Sequence, residues 1–163
     1  MAVEIFKSGE VTAGEGKLAE AAAAVRYWPA EGAKVRLAHF TFVNGDTVGA
    51  DGSSVNLVKL PAGRVRVLPI LSYIAVSALG ASRVMDLGVR AYVASDGITA
   101  VAAILNDFVN DRDVSSATAA NFGTALKKDY FSYNGLTICA VIAGGTLDAA
   151  ETMEGYVAYE IVQ

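Results

Sequence analysis

The stretch from Val55 to Gly97 most constrains the fold, because it alternates strand-like runs with short turns. A run rich in β-branched and apolar residues ends at Leu60, and Pro61-Ala62-Gly63 forms a predicted turn. A long apolar run follows, and Gly80-Ala81-Ser82 forms a second turn before the alternating segment Arg83–Val93. Strands at such short spacing, separated by Pro and Gly, are typical of antiparallel sheets and not of βαβ units.

Further strand-like segments bring the predicted total to roughly eight, as in a jelly roll. They cover residues 33–42, 128–133, 136–143 and 152–162. In the first, Val35 and Leu37 differ in parity from Phe40 and Phe42, which predicts a β-bulge or bend near Ala38–His39. Pro69 predicts a bend or a sheet edge. The fold class is therefore mainly β, an antiparallel β-sandwich of jelly-roll type.

One segment has helical periodicity. In Ile98–Val109 the apolar residues are spaced three and four apart, which predicts a short helix of about three turns. Asp96 or Thr99 provides a capping side chain for its start. We expect this helix, covering residues 98–110, to be an insertion that packs across one end of the sandwich.

The first 32 residues differ in composition from the rest. They contain several glycines and an alanine run but few large side chains. Such a segment cannot form its own core, so we expect an extended arm over residues 1–32 and one sandwich domain over residues 33–163. If the arm lies across a neighbouring subunit, its apolar anchors are Ile5, Phe6, Tyr27 and Trp28.

Composition excludes several classes of function. The chain has 163 residues, 53% hydrophobic and only 18% charged, which favours burial of apolar surface against copies of itself or another protein. A net charge of −4 with scattered Lys and Arg argues against a nucleic-acid partner. The longest apolar stretch is too interrupted to span a membrane. Without a recognisable secretion signal, we expect synthesis in a cytoplasm, where Cys139 is a buried structural thiol.

No motif predicts catalysis or a cofactor. His39 is the only histidine, and it lies in a strand without a serine nucleophile motif. Asp107, Asp111 and Asp113 superficially suggest a calcium loop but lack its glycine and glutamate. Asp46 and Asp51 fit ordinary turn chemistry. We therefore expect no enzyme activity, metal or cofactor.

Two pairs of basic residues recur at a spacing of two. Lys34 with Arg36, and Arg64 with Arg66, each project from one face of a strand. The simpler interpretation is a solvated outer face. The alternative is that these rows dock on an acidic protein surface or form salt bridges between subunits.

The block LVKLPAG, the strand VLPILSYIAV, the segments MDLGV and SDG, and the last strand EGYVAYEIV resemble a group of tailed-bacteriophage virion proteins. These are small β-sandwich decoration, or cement, proteins of the capsid. The resemblance implies a homo-oligomer, most simply a trimer, that binds the capsid surface and clamps adjacent major capsid protein subunits. The arm anchors and the two basic pairs, taken from the sequence pattern itself, are the residues that we expect to bind a partner.

Three other functions remain open. The chain could be a phage tail, fibre-base or receptor-binding component, for which exposed aromatic-rich loops are expected. A bacterial ligand-binding β-sandwich module would show a cleft with Trp and paired acids or amides. An enzyme ranks behind these two.

Overall fold

The computed structural model describes residues 5–7, 35–45 and 49–162, with residues 5–7 as backbone alone. Most of the predicted arm, including Tyr27 and Trp28, lies outside the described residues, as do Lys34 and Asp46. The strands, numbered along the chain, are β1 (Ile5–Lys7), β2 (Val35–Val43), β3 (Ser54–Leu60), β4 (Gly63–Val67), β5 (Tyr73–Val76), β6 (Val84–Val89), β7 (Tyr92–Val93), β8 (Ala100–Val101), β9 (Ile104–Asp113), β10 (Thr118–Asn121), β11 (Lys128–Ser132), β12 (Leu136–Ala143) and β13 (Thr152–Ile161).

The strands form two large sheets, and β7 and β8 form a separate hairpin. Sheet A has the order β1-β3-β12-β6-β9, with β1 parallel to β3. In sheet B, β2 pairs with one side of β13, while β4 and β5 pair with its other side. Beyond them, β11 pairs with β4 and β10 pairs with β5. We treat β4 with β5 as one interrupted strand, and β10 with β11 as another. The chain then passes between the two sheets in the order of a jelly roll. The predicted antiparallel β-sandwich is confirmed.

The break between β4 and β5 lies where the sequence places Pro69. A 3-10 turn, Pro69–Leu71, leaves the sheet while the partner strand β13 advances only from Tyr159 to Tyr156. The buried hydroxyl of Ser72 fills the interrupted ladder: it accepts a hydrogen bond from the amide of Ala158 at 2.9 Å and donates one to the carbonyl of Leu68. The predicted bend is therefore confirmed.

The core lies between the two sheets and draws apolar side chains from both. Each buried Leu, Ile or Phe contributes about 1.5–3 kcal/mol relative to an exposed one. The largest of the fully buried side chains are Phe40, Phe122, Leu57, Leu60, Ile74, Leu79, Met85, Leu87, Leu136, Ile138, Ile142 and Leu147. Cys139 is also buried, and burial raises the pKa of its thiol to about 11.

The predicted helix at residues 98–110 is wrong. These residues form β8 and most of β9, which pairs with β6. The pairing of β6 with β9 shifts register twice, and the added residues change which parity faces inward. Two such shifts in an alternating strand mimic the three- and four-residue spacing of a helix. Asp96 still accepts the amides of Ile98 and Thr99, as a cap would, but it closes the β7–β8 hairpin.

The predicted bulge in β2 is also wrong. Its residues pair one for one with β13, from Val35 with Glu160 to Val43 with Thr152, without a register shift. Phe40 and Phe42 face the core, whereas Val35 and Leu37 lie on the outer face of the sheet and are exposed. The change of phase in the sequence thus marks apolar residues on a solvent face, not an extra residue in the strand.

Candidate interaction surface

The outer face of sheet B brings charged residues from three strands into one row. Residues opposite each other on neighbouring strands share a face. The pairings therefore align Val35, Glu160, Arg66 and Asp129 across β2, β13, β4 and β11. Arg66 Nε donates to Asp129 Oδ1 at 2.9 Å, and its Nη1 donates to Glu160 Oε2 at 3.3 Å. The bond to Asp129 is the main cause that raises the pKa of Arg66.

Arg64 has a different environment from Arg66. It is exposed, and its guanidinium carbon lies 4.9 Å from the centre of the Phe131 ring, which is a cation–π contact. Phe131 is itself 46% exposed on the same outer face. The predicted basic row Arg64/Arg66 thus holds one arginine engaged by the chain's own acids and one that borders exposed aromatic surface.

The structure does not bring Arg36 together with Arg64 and Arg66. Arg36 pairs with Tyr159, which is buried, and Tyr159 pairs with Val67, which faces the core. Arg36 therefore lies on the inner side of sheet B, opposite to the face of Arg66. Ile5 and Phe6 are in β1 at the edge of sheet A, whereas the three arginines are on strands of sheet B.

Farther along the same outer face, a row of three aromatic residues and one asparagine crosses the sheet. His39, Tyr156, Tyr73 and Asn121 are aligned by pairing of β2, β13, β5 and β10. The rings of Tyr73 and Tyr156 stack at 6.1 Å between centroids, and His39 lies 5.7 Å from Tyr156. The three aromatic residues and Glu154 line a shallow depression of about 290 Å³. His39 is exposed here, not packed in the core.

One end of the sandwich exposes large apolar side chains; we call it the aromatic end and define it by Arg64, Ile98, Phe131 and Tyr133. Ile98 is 86% exposed at the tip of the β7–β8 hairpin, and Tyr133 is 65% exposed after β11. The Tyr133 amide donates to the carbonyl of Val93 at 2.8 Å, and a β-carbon at Gly97 would lie 3.4 Å from the Tyr133 ring. These contacts place the hairpin tip beside the β11–β12 turn.

The opposite end is polar and held by ion pairs; we call it the ionic end and define it by Arg83, Asp148 and Glu151. Arg83 Nη1 donates to Glu151 Oε1 at 2.5 Å, and its Nη2 donates to Asp148 Oδ2 at 2.8 Å. Burial raises the pKa of Glu151 despite the nearby cation, whereas the hydrogen bond from Arg83 lowers the pKa of Asp148. The cluster joins the loop before β6 to the loop before β13.

The acidic residues considered as metal ligands have partners within the protein. Asp107 accepts hydrogen bonds from Lys128 Nζ at 2.5 Å and from the Tyr130 hydroxyl, while Asp113 accepts the amide of Ser115. Asp51 accepts the amide of Gly144 across the ionic end. Within residues 35–45 and 49–162, no group of three His, Cys, Asp or Glu side chains is placed to hold a metal ion.

The aromatic end was not predicted from the sequence, although one signal was present. In Tyr130–Tyr133 the aromatic residues occupy both parities of a strand, and a strand with one buried face can hide only one parity. Tyr130 is buried, and Phe131 and Tyr133 are exposed. The exposure of Ile98 could not be predicted from the sequence, because its apolar side chain fitted the periodicity of a helix that the structure does not contain.

The architecture is that of the jelly-roll sandwiches, a class that includes viral capsid and lectin domains. A chain from the capsid of Ralstonia phage GP4 is similar, with a TM-score of 0.57 and 16% identity over 98% of this chain and 99% of that one. A chain from the capsid asymmetric unit of cyanophage Pam1 has a TM-score of 0.53 and 14% identity over 86% of this chain and 96% of that one. At these identities the likeness shows a shared fold.

No protein-family model matches the chain, and no curated protein matches it. Among the described residues, no helix has the length and apolar character needed to cross a membrane.

Proposed function

We propose that this protein is a structural component of a bacteriophage virion that binds the outside of the capsid. In this role it cements neighbouring major capsid protein subunits, acting as a homotrimer without enzyme activity. The observation that carries the proposal is the likeness over almost the whole of both chains to a chain of the GP4 capsid. Because both coverages are nearly complete, the two chains are of similar length. A jelly roll of this size therefore occurs as a separate chain of a phage capsid.

Cementing and trimerisation would both favour the assembled shell. Protein that binds only the assembled shell shifts the equilibrium towards assembly by mass action. If three copies engage neighbouring sites at once, weak individual contacts combine into strong attachment. A sandwich without a dedicated cofactor can perform this role through its surface alone.

The predicted partner-binding residues remain part of the proposal. Arg64 is the member whose exposure and position support contact with another protein. Arg66 supports the outer face through its bonds to Asp129 and Glu160. We assign the remaining predicted residues to attachment of the arm. They are the arm anchors Ile5, Phe6, Tyr27 and Trp28, together with Lys34 and with Arg36 on the inner side of sheet B.

The test uses the purified chain and empty shells of the major capsid protein encoded in the same genome. We expect a trimer by multi-angle light scattering, or trimers on the shell by cryo-electron microscopy, and co-sedimentation with the shells. Shells carrying the protein should also withstand a higher temperature before they disassemble. A strict monomer that does not co-sediment with shells would refute the decoration role.

A deletion of residues 1–32 tests the arm separately. The deletion also removes β1, the three-residue edge strand of sheet A, so we expect the truncated protein to keep the rest of the sandwich with only a small change in its far-ultraviolet spectrum, and to bind shells more weakly. If the truncated and intact proteins bind equally well, the arm is not the clamp, although the decoration role would stand.

A ligand-binding sandwich module is the second candidate, and one observation favours it. The stacked pair Tyr73 and Tyr156, with Glu154 beside them, offers aromatic faces and a carboxylate in one depression. Aromatic faces with adjacent polar groups suit sugar rings, which have apolar faces and hydroxyl edges. Binding of oligosaccharides that is lost in Tyr156→Ala, combined with no shell binding, would favour this function over the first.

A further inference from the structure

Resting on the proposed capsid role, we infer that the aromatic end is the part of the sandwich that faces the shell. Its partner would be the outer surface of the major capsid protein, presenting an apolar recess bordered by carboxylates. In this orientation the ionic end points away from the shell.

Of the ten large apolar side chains that are exposed among the described residues, five lie at or beside the aromatic end; the others are Leu37 and Val43 on β2 and Ile70, Leu71 and Leu126 near the break between β4 and β5. Ile98, Phe131 and Tyr133 are at the aromatic end, and Val35 and Ile104 at the neighbouring strand ends are also exposed. Monomeric proteins rarely leave such clustered apolar surface in water without a partner. Tyr and Phe are the residue types enriched at the centres of protein interfaces.

Register shows that these side chains lie at one end and are not spread over the sheet. Phe131 pairs with Arg64, and Ser132 pairs with Gly63 and bridges to Ala94 in the hairpin. Ile104 pairs with Val89 at the same end of sheet A. The turns at residues 61–62, 94–99 and 133–135 therefore form one continuous surface.

The charges at this end indicate the chemistry of the partner. Arg64 and Lys59 are exposed there, and the Lys59 side chain lies against the turn at Gly135. The carboxylates nearby are engaged within the protein, Asp96 by Ile98 and Thr99 and Asp129 by Arg66. A partner with carboxylates beside an apolar recess would complement this arrangement.

The test compares shell binding of the double variant Ile98→Asp/Tyr133→Ser with that of Val43→Asp. Val43 is the matched control, because it is 61% exposed on β2 but lies towards the ionic end. We expect the double variant to bind shells at least about tenfold more weakly, as expected for loss of interface anchors, and Val43→Asp to bind as the intact protein does. Far-ultraviolet spectra and melting temperatures check that both variants fold.

The charge component has its own test. Arg64→Glu should weaken shell binding, and the binding of the intact protein should weaken as salt concentration rises. Ala149→Glu, which adds one negative charge at an exposed position of the ionic end, is the control for added acidic charge and should have little effect.

The outcomes separate this inference from the proposed function. If the intact protein does not bind shells, the function fails. If the intact protein and the double variant bind equally, or only Val43→Asp loses binding, the function stands and the orientation is overturned. If the double variant falls apart from trimer to monomer, the aromatic end is an interface between copies of this chain, and the inference is likewise overturned.

Discussion

The guanidinium of Arg83 lies 2.5 Å from the carboxylate of Glu151, and both side chains are almost completely buried. A buried ion pair contributes little over an apolar replacement, but removing one partner leaves an uncompensated charge. We expect Arg83→Met to lower the free energy of unfolding by about 3 kcal/mol, because Glu151 would lose its buried counter-ion. Chemical denaturation measures this loss.

Arg66→Met is the control for that experiment. Arg66 also bonds to two acids, but its partners lie on the solvent face of sheet B, where water screens the charges. A loss for Arg66→Met as large as that for Arg83→Met would contradict the role of burial.

The two acids at Arg83 should respond to pH in opposite directions. Burial raises the pKa of Glu151 above its usual 4.5, so the folded state binds a proton there more readily than the unfolded state. Its contribution to stability is greatest below pH 4.5 and declines as pH rises through the folded pKa. Asp148, whose pKa is lowered from 3.8 by the hydrogen bond from Arg83, contributes stability above 3.8 that is lost in acid.

Urea denaturation between pH 3 and 7, about the range over which carboxyl groups titrate, separates the two contributions. The stability of the intact protein minus that of Glu151→Gln should fall as pH rises. The corresponding difference for Asp148→Asn should increase with pH. Parallel curves for the two variants would show that their titrations are not set by these environments.

Gly88 is required by the close approach of β6 and β9. A β-carbon at this position would lie 2.0 Å from the carbonyl oxygen of Ile104 and 2.4 Å from the carbonyl carbon of Leu105. We expect Gly88→Ala to destabilise the protein by about 3 kcal/mol, because the backbone of β9 must move away. Thermal or chemical unfolding measures the change.

Gly45→Ala is the matched substitution, since a β-carbon there meets no atom within 4 Å among the described residues. It should leave the unfolding midpoint almost unchanged. Equal effects at both glycines would rule out crowding as the cause.

Cys139 should be unreactive while the protein is folded. Burial raises the pKa of its thiol to about 11, and the Sγ atom lies 3.7 Å from the carbonyl oxygen of Gly88 on the neighbouring strand β6. At pH 8 we expect a thiol reagent to modify it only as fast as the fold opens, and at once in denaturant. Rapid labelling of the native protein, with its far-ultraviolet spectrum preserved, would contradict the buried position.

The sequence was sufficient to predict the sandwich because each strand of the framework has local signals. Turns at Pro61–Gly63 and Asn134-Gly135 and the alternation in β13 depend on neighbours in the chain, so they can be read directly. β9 could not be read in this way. Its inward parity depends on register shifts against β6, and that information belongs to the pairing of two strands.

The candidate surface was less predictable for a related reason. Ile98, Phe131 and Arg64 come from three separate turns or strand ends, and only the packed sandwich makes them neighbours. The pairs Lys34/Arg36 and Arg64/Arg66 have the same spacing, yet Arg36 and Arg66 face opposite sides of sheet B. Spacing assigns residues to a common face of one strand but does not say which side of the sheet that face becomes.

The central position of β13 has a consequence for biosynthesis. This strand follows all the other strands along the chain, yet β2, β4 and β5 all pair with it. As the ribosome elongates the chain, those three strands emerge before their common partner is synthesised. Their apolar faces are then exposed to chaperones or to each other. Sheet B closes only when translation has passed Ile161, so incomplete chains lack the strand that joins its two halves.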